Sequence, residues 1–539
     1  MKIKCMGAAR TVTGSCFILE TGKSRFAIDC GMHQGNAEIE KRNWDLSEYR
    51  PEEIDFILIT HAHIDHSGLL PRMVRNGFQG RIYATPPTLD LLEIMLLDSA
   101  HIQEMEAQWK NRKRLRFGGS GMEPLYTQKN ASDTFPLFQA VDYKAPFEPA
   151  PGVRVVFRDA GHILGSSFLE VWIDEGGDRR KIVFSGDIGR SSQLLVEDPS
   201  VVEKADILFL ESTYGSRDHK DETESLNELA EAVSYSYGRG EKVVIPAFAV
   251  ERTQEVIYSL YLLSKQGKLP PDMPVFVDSP LAIKATEIFR SHPEYFDRET
   301  RALLREGEDP LSLPQLRFTL STQESMAINE LRGAAVIISA SGMAHAGRIK
   351  HHLRHNLWRE GAGIVFVGFQ AEGTTGRRIV DGAKRVRIFN EDIAVKAKVY
   401  TINGFSAHAG RSQLLEWVGS FRSPGMQVLL VHGEYSAQQS LAAALKKRFG
   451  FPVHIPDYLE EWTVAGERVE GKAAVPEAPP RMDWDGMLDA VEDQLANLRA
   501  RRKRLESGSP SDQRSGKEKL AEAAKILGGI LPGEHSSIS

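Results

Sequence analysis

Apolar runs and amphipathic stretches alternate along most of the chain. Apolar runs of about four to eight residues, bounded by glycine or polar residues, are typical of buried strands. Runs of this kind lie at residues 2–6, 15–20, 26–29, 54–60, 153–158, 181–184 and 205–211. The pattern therefore predicts short strands joined by turns in the first segment, then a strand, turn, helix and strand over residues 54–84. Residues 88–117 predict a long helix.

The pattern changes between residues 216 and 395, where helices and strands alternate. We predict helices at 222–237, 250–264, 281–291, 346–358 and near 376, and strands at 242–246, 274–278, 334–340 and 363–368. This alternation is typical of a parallel α/β domain. Strands at 398–402 and 427–431 return to the pattern of the first 215 residues, in which a short apolar strand is followed by a potential ligand. We therefore predict one domain that is split by an inserted second domain.

Composition narrows the class of protein without deciding its chemistry. The chain has 539 residues, of which 41% are hydrophobic and 26% charged, values that suit a few globular units. Its formal charge of -6 offers no overall attraction for nucleic acid, so any basic surface must be local. The chain has only 3 cysteines, no signal-peptide pattern and no apolar run of membrane-spanning length. These features predict a cytoplasmic protein with no membrane partner.

One stretch, His61-Ala62-His63-Ile64-Asp65-His66, places four potential metal ligands between a predicted strand and a predicted helix. Imidazole nitrogens suit zinc, and a carboxylate can share in such a site. His61 and His63 are two residues apart, so in an extended segment they point the same way. Asp65 and His66 follow as the chain turns into the helix, and they can face a second position. A single turn can therefore serve two metal ions.

Other predicted strands also end in a histidine or a carboxylate. These strand-end residues are Asp29, His162, Asp187, Glu211, His408 and His432. In an α/β layered fold such ends meet at one rim, where sites are built. A strand-end aspartate such as Asp187 can bridge two metals or simply cap a turn. Asp29 can be a ligand, a turn cap or, as we favour, a group that orients a metal-binding histidine.

Two glycine-bearing loops in the inserted domain, Ser339–Arg348 and Gly368–Arg377, each join a strand to a helix. Backbone N–H groups in such loops can hold a phosphate, and an ordinary strand-to-helix loop is an equal alternative. Neither loop has the Walker A lysine motif, so nucleotide hydrolysis is not indicated. The basic run Lys110–Arg116 can meet phosphates, but a solvated helix face is the favoured interpretation.

The last part of the chain, residues 471–539, differs from the rest. Residues 471–483 are rich in alanine and proline and predict a linker, and residues 484–505 predict an amphipathic helix. That helix can pack on the body of the protein, which we favour, pair with a second copy in a homodimer, or contact RNA. Residues 507–539 predict a mostly disordered tail.

Several motifs together carry a family resemblance. The first resembles the metal-binding motif of the metallo-β-lactamase fold and consists of His61-x-His63-x-Asp65-His66, His162 and Asp187. The others resemble motifs A, B and C of the β-CASP branch of that fold: Glu211, Ser406-Ala407-His408 and Val431-His432-Gly433-Glu434. That branch contains enzymes that cleave RNA or DNA. The resemblance covers residues 1–465.

The resemblance implies an α/β protein with two domains. An αββα metallo-β-lactamase sandwich would comprise residues 1–212 and 396–470, and a parallel α/β β-CASP domain, inserted at 213–395, would roof the active site. The linker, helix and tail of residues 471–539 lie outside the match.

The resemblance also implies roles for the site residues. One metal would be held by His61, His63, His162 and Asp187, and the other by Asp65, His66, Asp187 and His432. Two zinc ions are the first choice, and the ligand set also permits manganese. Catalysis would involve Asp65, Glu211 and His408, with Asp29 just outside the metals. Substrate phosphates would be held by Ser339, Ser341, Gly342, Arg348 and Arg377.

The function implied is a metal-dependent ribonuclease that cuts single-stranded RNA internally by two-metal activation of water. Relatives that digest RNA processively from the 5′ end tend to have further C-terminal domains, which favours internal cleavage here. A DNA nuclease of the same fold is one alternative, and His432 argues against it because DNA-active relatives tend to have valine there. A small-molecule hydrolase is disfavoured by the insertion and by His408. A non-catalytic RNA-processing scaffold is disfavoured by the complete ligand set.

Overall fold

The computed structural model describes residues 1–115, 121–219, 221–368, 370, 373–465, 468–472 and 517. The described strands and helices belong to one compact unit, Met1–Ala474. The predicted amphipathic helix and the predicted disordered tail lie outside the described residues, apart from Lys517, and both stay predictions.

Strands and helices alternate through this unit. The strands are β1 (Lys2–Cys5), β2 (Phe17–Glu20), β3 (Arg25–Ile28), β4 (Phe56–Leu58), β5 (Arg81–Ala84), β6 (Phe138–Ala140), β7 (Phe147–Ala150), β8 (Val153–Asp159), β9 (Ser167–Glu175), β10 (Asp178–Phe184), β11 (Ile207–Glu211), β12 (Lys242–Pro246), β13 (Val275–Val277), β14 (Leu316–Phe318), β15 (Ala335–Ser339), β16 (Gly363–Phe366), β17 (Arg385–Ile388), β18 (Glu391–Ala394), β19 (Lys398–Thr401), β20 (Gln427–Val431), β21 (Val453–His454), β22 (Glu461–Ala465) and β23 (Arg468–Lys472). The α-helices are α1 (Ala37–Lys41), α2 (Ile64–Ser67), α3 (Leu70–Arg75), α4 (Pro86–Leu115), α5 (Gln128–Thr134), α6 (Glu222–Tyr237), α7 (Arg252–Lys265), α8 (Pro280–Ser291), α9 (Arg298–Arg305), α10 (Thr322–Glu330), α11 (Ile349–Asn356), α12 (Thr375–Val380), α13 (Arg411–Val418) and α14 (Tyr435–Phe449). Short 3₁₀ turns lie at Arg42–Trp44, Pro51–Glu53, Phe135–Leu137, Pro293–Tyr295 and Asn403–Phe405.

Two sheets pack face to face and form the sandwich. One has the order β23-β22-β1-β2-β3-β4-β5-β6, and the other β21-β20-β11-β10-β9-β8-β7. Inward-facing side chains of both sheets make one buried cluster, which includes Phe17, Phe184 and Phe209. On the outer faces, α3 and α4 pack on the first sheet and α13 and α14 on the second. This arrangement confirms the predicted αββα order. None of the helices in the described part of the chain is long and apolar enough to cross a membrane.

The inserted domain is built on a third sheet, in the order β14-β13-β15-β12-β16-β19, whose strand pairs are all parallel. Strands β12 and β15 are buried at every position, as expected for a parallel sheet with helices on both faces. This confirms the predicted parallel α/β insertion. Strand β19 pairs with β16 of this sheet, so the inserted sheet extends past the predicted boundary at residue 395.

Parallel pairing brings sequence-distant strand ends to one edge of the sandwich. In the first sheet Ile28 of β3 pairs with Leu58 of β4. In the second sheet, Glu211 of β11 pairs with Val431 of β20, and β11 also pairs with β10. The residues that follow or end these strands therefore emerge together: Asp29, His61, Asp187, Glu211 and His432.

Candidate metal centre and active site

Backbone hydrogen bonds hold the site loops in place. Two site residues, Asp29 (φ 60°) and His432 (φ 48°), have a left-handed backbone that side chains other than glycine rarely adopt. The N–H of Asp29 donates to Leu58 O over 2.8 Å, and the N–H of His432 donates to Ala8 O over 2.7 Å. Strained backbone that neighbouring structure enforces is common at functional sites.

A first group of potential ligands comprises His61, His63, His162 and Asp187; one ligand atom from each lies within 4.8 Å of the others. His63 Nδ1 lies 3.0 Å from His61 Nε2 and 3.4 Å from His162 Nε2. Asp187 Oδ2 lies 3.5 Å from His61 Nε2 and 3.6 Å from His162 Nε2. Three imidazoles and one carboxylate oxygen therefore converge on one position.

A second group comprises Asp65, His66 and His432, again with ligand atoms within 4.8 Å. His432 Nε2 lies 3.4 Å from Asp65 Oδ2. The other carboxylate oxygen of Asp187, Oδ1, lies 3.4 Å from both His66 Nε2 and His432 Nδ1. Asp187 thus stands between the groups, with one oxygen directed to each.

The chemistry of these atoms fits divalent metal ions. His66 Nε2 and Asp187 Oδ1 are buried and have no hydrogen-bond partner among the described residues. The opposite nitrogen of His66, Nδ1, lies 2.7 Å from Asp29 Oδ2. Asp29 in turn accepts hydrogen bonds from the Thr60 N–H (2.8 Å) and from the Thr60 and Ser15 hydroxyls. A carboxylate behind an imidazole is the arrangement that orients a metal-binding histidine.

Protonation at five of the ligands also suits metal binding, which needs neutral imidazoles and ionised carboxylates. His66 differs: burial lowers its pKa, but Asp187 and Asp29 outweigh burial and raise the pKa well above its usual range, so a bound metal ion would have to displace its proton. Burial lowers the pKa of His63 to about 4 and holds the pKa values of His61 and His162 well below the usual range. Burial alone would raise the pKa of Asp65, but the hydrogen bond from His432 and the nearby imidazoles lower it to about 2. The surrounding imidazoles likewise outweigh burial at Asp187 and hold its pKa low.

His408 and Glu211 form a pair beside these groups. His408 Nδ1 lies 3.1 Å from Glu211 Oε1, and Glu211 is fully buried. The backbone N–H groups of Ile188 and Thr213 donate to the Glu211 carboxylate over 3.0 and 3.1 Å. Burial lowers the pKa of His408, but Glu211 and Asp187 outweigh it and raise the pKa to about 9. An imidazole that keeps its proton near neutral pH can act as an acid.

A cavity of about 220 Å³ opens above the site, between the sandwich and the inserted domain. The inserted domain contributes residues that the sequence analysis missed: Phe248, Glu251, Arg252 and Met343. Phe248 is 43% exposed, whereas Arg252 is buried and paired with Glu255. The loop after β12 carries Phe248 and Glu251, Arg252 begins helix α7, and β12 itself lies beside β15 in the same sheet. The place of this loop after a predicted parallel strand was the signal that could have identified it.

The five predicted phosphate-binding residues have different surroundings. The Ser339 hydroxyl donates to Asp278 O over 2.9 Å, and the Arg348 guanidinium donates to Asp278 Oδ1 over 2.8 Å and to two backbone carbonyls. Arg377 Nε lies 2.9 Å from both carboxylate oxygens of Asp381. Gly342 approaches the Phe248 ring so closely that a Cβ would lie 3.0 Å from it. Within the described residues, the buried Ser341 hydroxyl has no hydrogen-bond partner.

Family models match three successive segments of the chain. Residues 9–235 match the metallo-beta-lactamase superfamily, and residues 253–379 match the Beta-Casp domain. Residues 392–456 match the Zn-dependent metallo-hydrolase RNA specificity domain.

Curated relatives resemble the chain over most of its length. The chain is 35% identical to Ribonuclease TTHA0252 of Thermus thermophilus, over 83% of this chain and 96% of the relative. It is 31% identical to the transcription termination factor FttA of Methanocaldococcus jannaschii, over 85% of this chain and 71% of the relative. The corresponding factor of Thermococcus kodakarensis is 32% identical over the same shares. With these matches and the ligand arrangement above, the chain belongs to the β-CASP family of the metallo-β-lactamase superfamily.

Proposed function

We propose that the protein is a metal-dependent ribonuclease that cuts single-stranded RNA internally. The observation that carries the proposal is the position of Asp187, whose two oxygens face two separate ligand groups, with the His408–Glu211 pair directly beside them. Two relatives, named as a ribonuclease and a transcription termination factor, support RNA as the substrate.

We propose that His61, His63, His162 and Asp187 hold one ion, and that Asp65, His66, Asp187 and His432 hold the other. Zinc is the ion we favour for a set of imidazoles and carboxylates, and manganese is compatible with the same set. Two such ions, when bound, lower the pKa of a water molecule and stabilise charge on the phosphate oxygens. Asp29 is proposed to orient His66.

His408 is proposed as the general acid, and Glu211 as the residue that positions it. A water molecule gives up one proton to solvent, and its oxygen forms the new bond to phosphorus as the bond from phosphorus to the 3′ oxygen breaks. The protonated His408 ring gives its proton to that leaving oxygen and later recovers one from solvent. The products are a 5′-phosphate and a 3′-hydroxyl. Positioned acid catalysis of this kind contributes about 10²–10⁴-fold.

The cavity supports a single-stranded substrate. Its volume of about 220 Å³ is small for a stiff duplex and suits an unpaired strand at the metal groups. An unstacked base can lie against an exposed aromatic ring, and we assign this contact to Phe248. For the phosphates we favour Ser341 and Gly342, which lie on the loop that meets Phe248. Because Ser339 and Arg348 are engaged with Asp278, we propose that they hold this loop in place. Arg377 is proposed at an outer phosphate.

The domain boundaries follow from the same proposal. The sandwich would comprise residues 1–212 and the segment after Thr401, with the β-CASP domain between them, since β19 belongs to the inserted sheet. The free, buried cysteines Cys5, Cys16 and Cys30 suit the reducing cytoplasm. A homodimer through the tail helix stays a prediction.

A circular RNA tests the proposal directly. Purified protein supplied with zinc or manganese should open the circle and leave 5′-phosphate ends, and EDTA should stop the reaction. Asp187→Ala is the matched inactive control. An intact circle beside a degraded linear RNA would contradict internal cleavage. Faster opening of a single-stranded DNA circle would contradict RNA as the substrate.

A further inference from the structure

A second cavity lies at the opposite edge of the sandwich from the active site. Its volume is about 840 Å³, and Ile207 and Gln427, the first residues of β11 and β20, line it. The far ends of the same strands carry Glu211 and precede His432. At about 3.3 Å per residue, the five-residue strand β11 separates the cavity from the active-site edge by roughly 13 Å.

The lining of this cavity is strongly basic, although the whole chain has a formal charge of -6. The basic side chains are Arg179, Arg180, Lys181, Lys204 and Arg422, and Asp206 is the one acidic residue among the lining residues. The bases come from three separate segments, the start of β10 and the loops before β11 and β20. These basic side chains therefore lie close together only in the folded protein.

Three of these cations are not engaged with carboxylates. Arg180 pairs with Asp178 over 3.1 Å, and Lys181 pairs with the buried Glu170. Among the described residues, no carboxylate lies within 4.0 Å of the charged groups of Arg179, Lys204 or Arg422, and all three residues are exposed. Their charges are available to a ligand.

The cavity wall is held by contacts between its segments. The Ala205 N–H donates to the Ser423 hydroxyl over 3.0 Å, and the Arg422 N–H donates to Glu203 O over 2.7 Å. Trp172 lies in the wall, with Lys181 Nζ 4.9 Å and the Arg154 guanidinium 5.4 Å from its ring centroid. These contacts fix the loops that carry Lys204 and Arg422, so the site does not need to be ordered by its ligand.

We propose that this cavity binds the phosphodiester backbone of single-stranded RNA, away from the point of cleavage. The proposal rests on the ribonuclease function above. Unpaired lysines and arginines in a concave surface gain affinity for a polyanion by releasing its counterions. The cavity is about four times as large as the active-site cavity, and its cations come from separate segments. This arrangement suits successive phosphates of a chain better than one small anion. Long RNA would thus be held at two places.

The test neutralises the three unpaired cations together, as Arg179→Gln, Lys204→Gln and Arg422→Gln. The matched control is Lys23→Gln, Lys384→Gln and Arg387→Gln, three exposed cations outside the cavity. The substrates are a short oligonucleotide that only fills the active site and a long unstructured RNA with the same cleavage sequence. We expect KM for the long RNA to rise by about tenfold, with kcat and all short-substrate constants unchanged.

Salt dependence provides an independent readout. Each lost phosphate contact should lower the slope of log affinity against log salt by about 0.7, so the triple variant should lose about 2. Equal effects on short and long RNA, or the same effects in the control variant, would overturn the proposal. The triple variant could also bind long RNA as well as the unaltered protein does, yet no longer bind inorganic phosphate or a mononucleotide. That result would overturn the proposal in favour of a small-anion site. If the unaltered protein binds long RNA through these cations but cleaves neither substrate, only the proposed function fails.

Discussion

His408 Nδ1 lies 3.1 Å from Glu211 Oε1, whereas His432 Nε2 lies 3.4 Å from Asp65 Oδ2, and the two rings approach different oxygens of Asp187. The two late histidines thus follow similar sequence motifs but meet different partners. His408 contacts the buried carboxylate of Glu211. Ligand atoms of His408, Glu211 and Asp187 also lie within 4.8 Å of one another, whereas His432 belongs with Asp65 and His66. Their substitution should therefore have different consequences.

His408→Ala should keep both metal ions and still bind RNA, yet cleave about 10²–10⁴ times more slowly because only the acid is lost. Added metal should not restore the rate, but a substrate with a better leaving group should recover part of it. His432→Ala should lose one ion and regain some activity when metal is added. Metal analysis and single-turnover cleavage of both variants test this. If His408→Ala lost one metal ion while His432→Ala kept both, the two histidines would have exchanged roles.

Asp187→Ala should release much of the metal from both positions, since each of its oxygens faces one ligand group. Unaltered protein should hold about two ions per chain, as expected for a paired site. Elemental analysis after dialysis gives the metal content, and circular dichroism checks the fold. A variant that stays fully loaded and active would contradict the bridging assignment.

Asp29→Asn should weaken metal binding by about 10–100-fold without removing a ligand, because the hydrogen-bonded carboxylate behind His66 is lost. Competition with a coloured chelator measures the affinity. Asp133→Asn, on an exposed position of α5, is the control and should leave the affinity unchanged. A metal affinity equal to that of the unaltered protein would contradict the orienting role of Asp29.

Asp278→Asn should destabilise the inserted domain at neutral pH by about 3 kcal/mol, because it leaves a buried network incomplete. Asp278 accepts hydrogen bonds from Thr319, Ser325, Arg348 and His352. Although burial raises the pKa of Asp278, these bonds outweigh it and hold the pKa low. The stabilisation is therefore present above the unfolded-state pKa of about 3.9 and is lost as pH falls through the folded-state pKa.

Urea unfolding at neutral and acidic pH measures this effect. The free energy of unfolding of unaltered protein should fall on acidification, and that of Asp278→Asn should fall less. Asp381→Asn, in a surface ion pair with Arg377, is the control and should change stability little. Parallel pH curves for Asp278→Asn and the unaltered protein would contradict the prediction.

Local pattern alone determined most elements and the residues at their ends. Strands β12 and β20 and helix α6 have the predicted bounds, because continuous apolar runs and amphipathic spacing act within one element. The metal-ligand candidates could be predicted for the same reason: a ligand directly after a buried strand is visible in sequence. Their order along the chain also carried the family resemblance, which the family models confirm.

Only the tertiary structure decided which of these side chains are engaged elsewhere. Arg348 and Asp278 are 70 residues apart, and their contact depends on how β13 and β15 pair. The sequence therefore suggested a phosphate as the partner of Arg348, whereas in the structure Arg348 pairs with the buried Asp278 carboxylate. Strand β19 follows the end of the predicted insertion, but its hydrogen bonds join the inserted sheet. The basic cavity formed by Arg179, Lys204 and Arg422 has no sequence motif, because three segments meet there only through strand pairing. Local periodicity determines elements, whereas the choice of partners depends on long-range pairing between them.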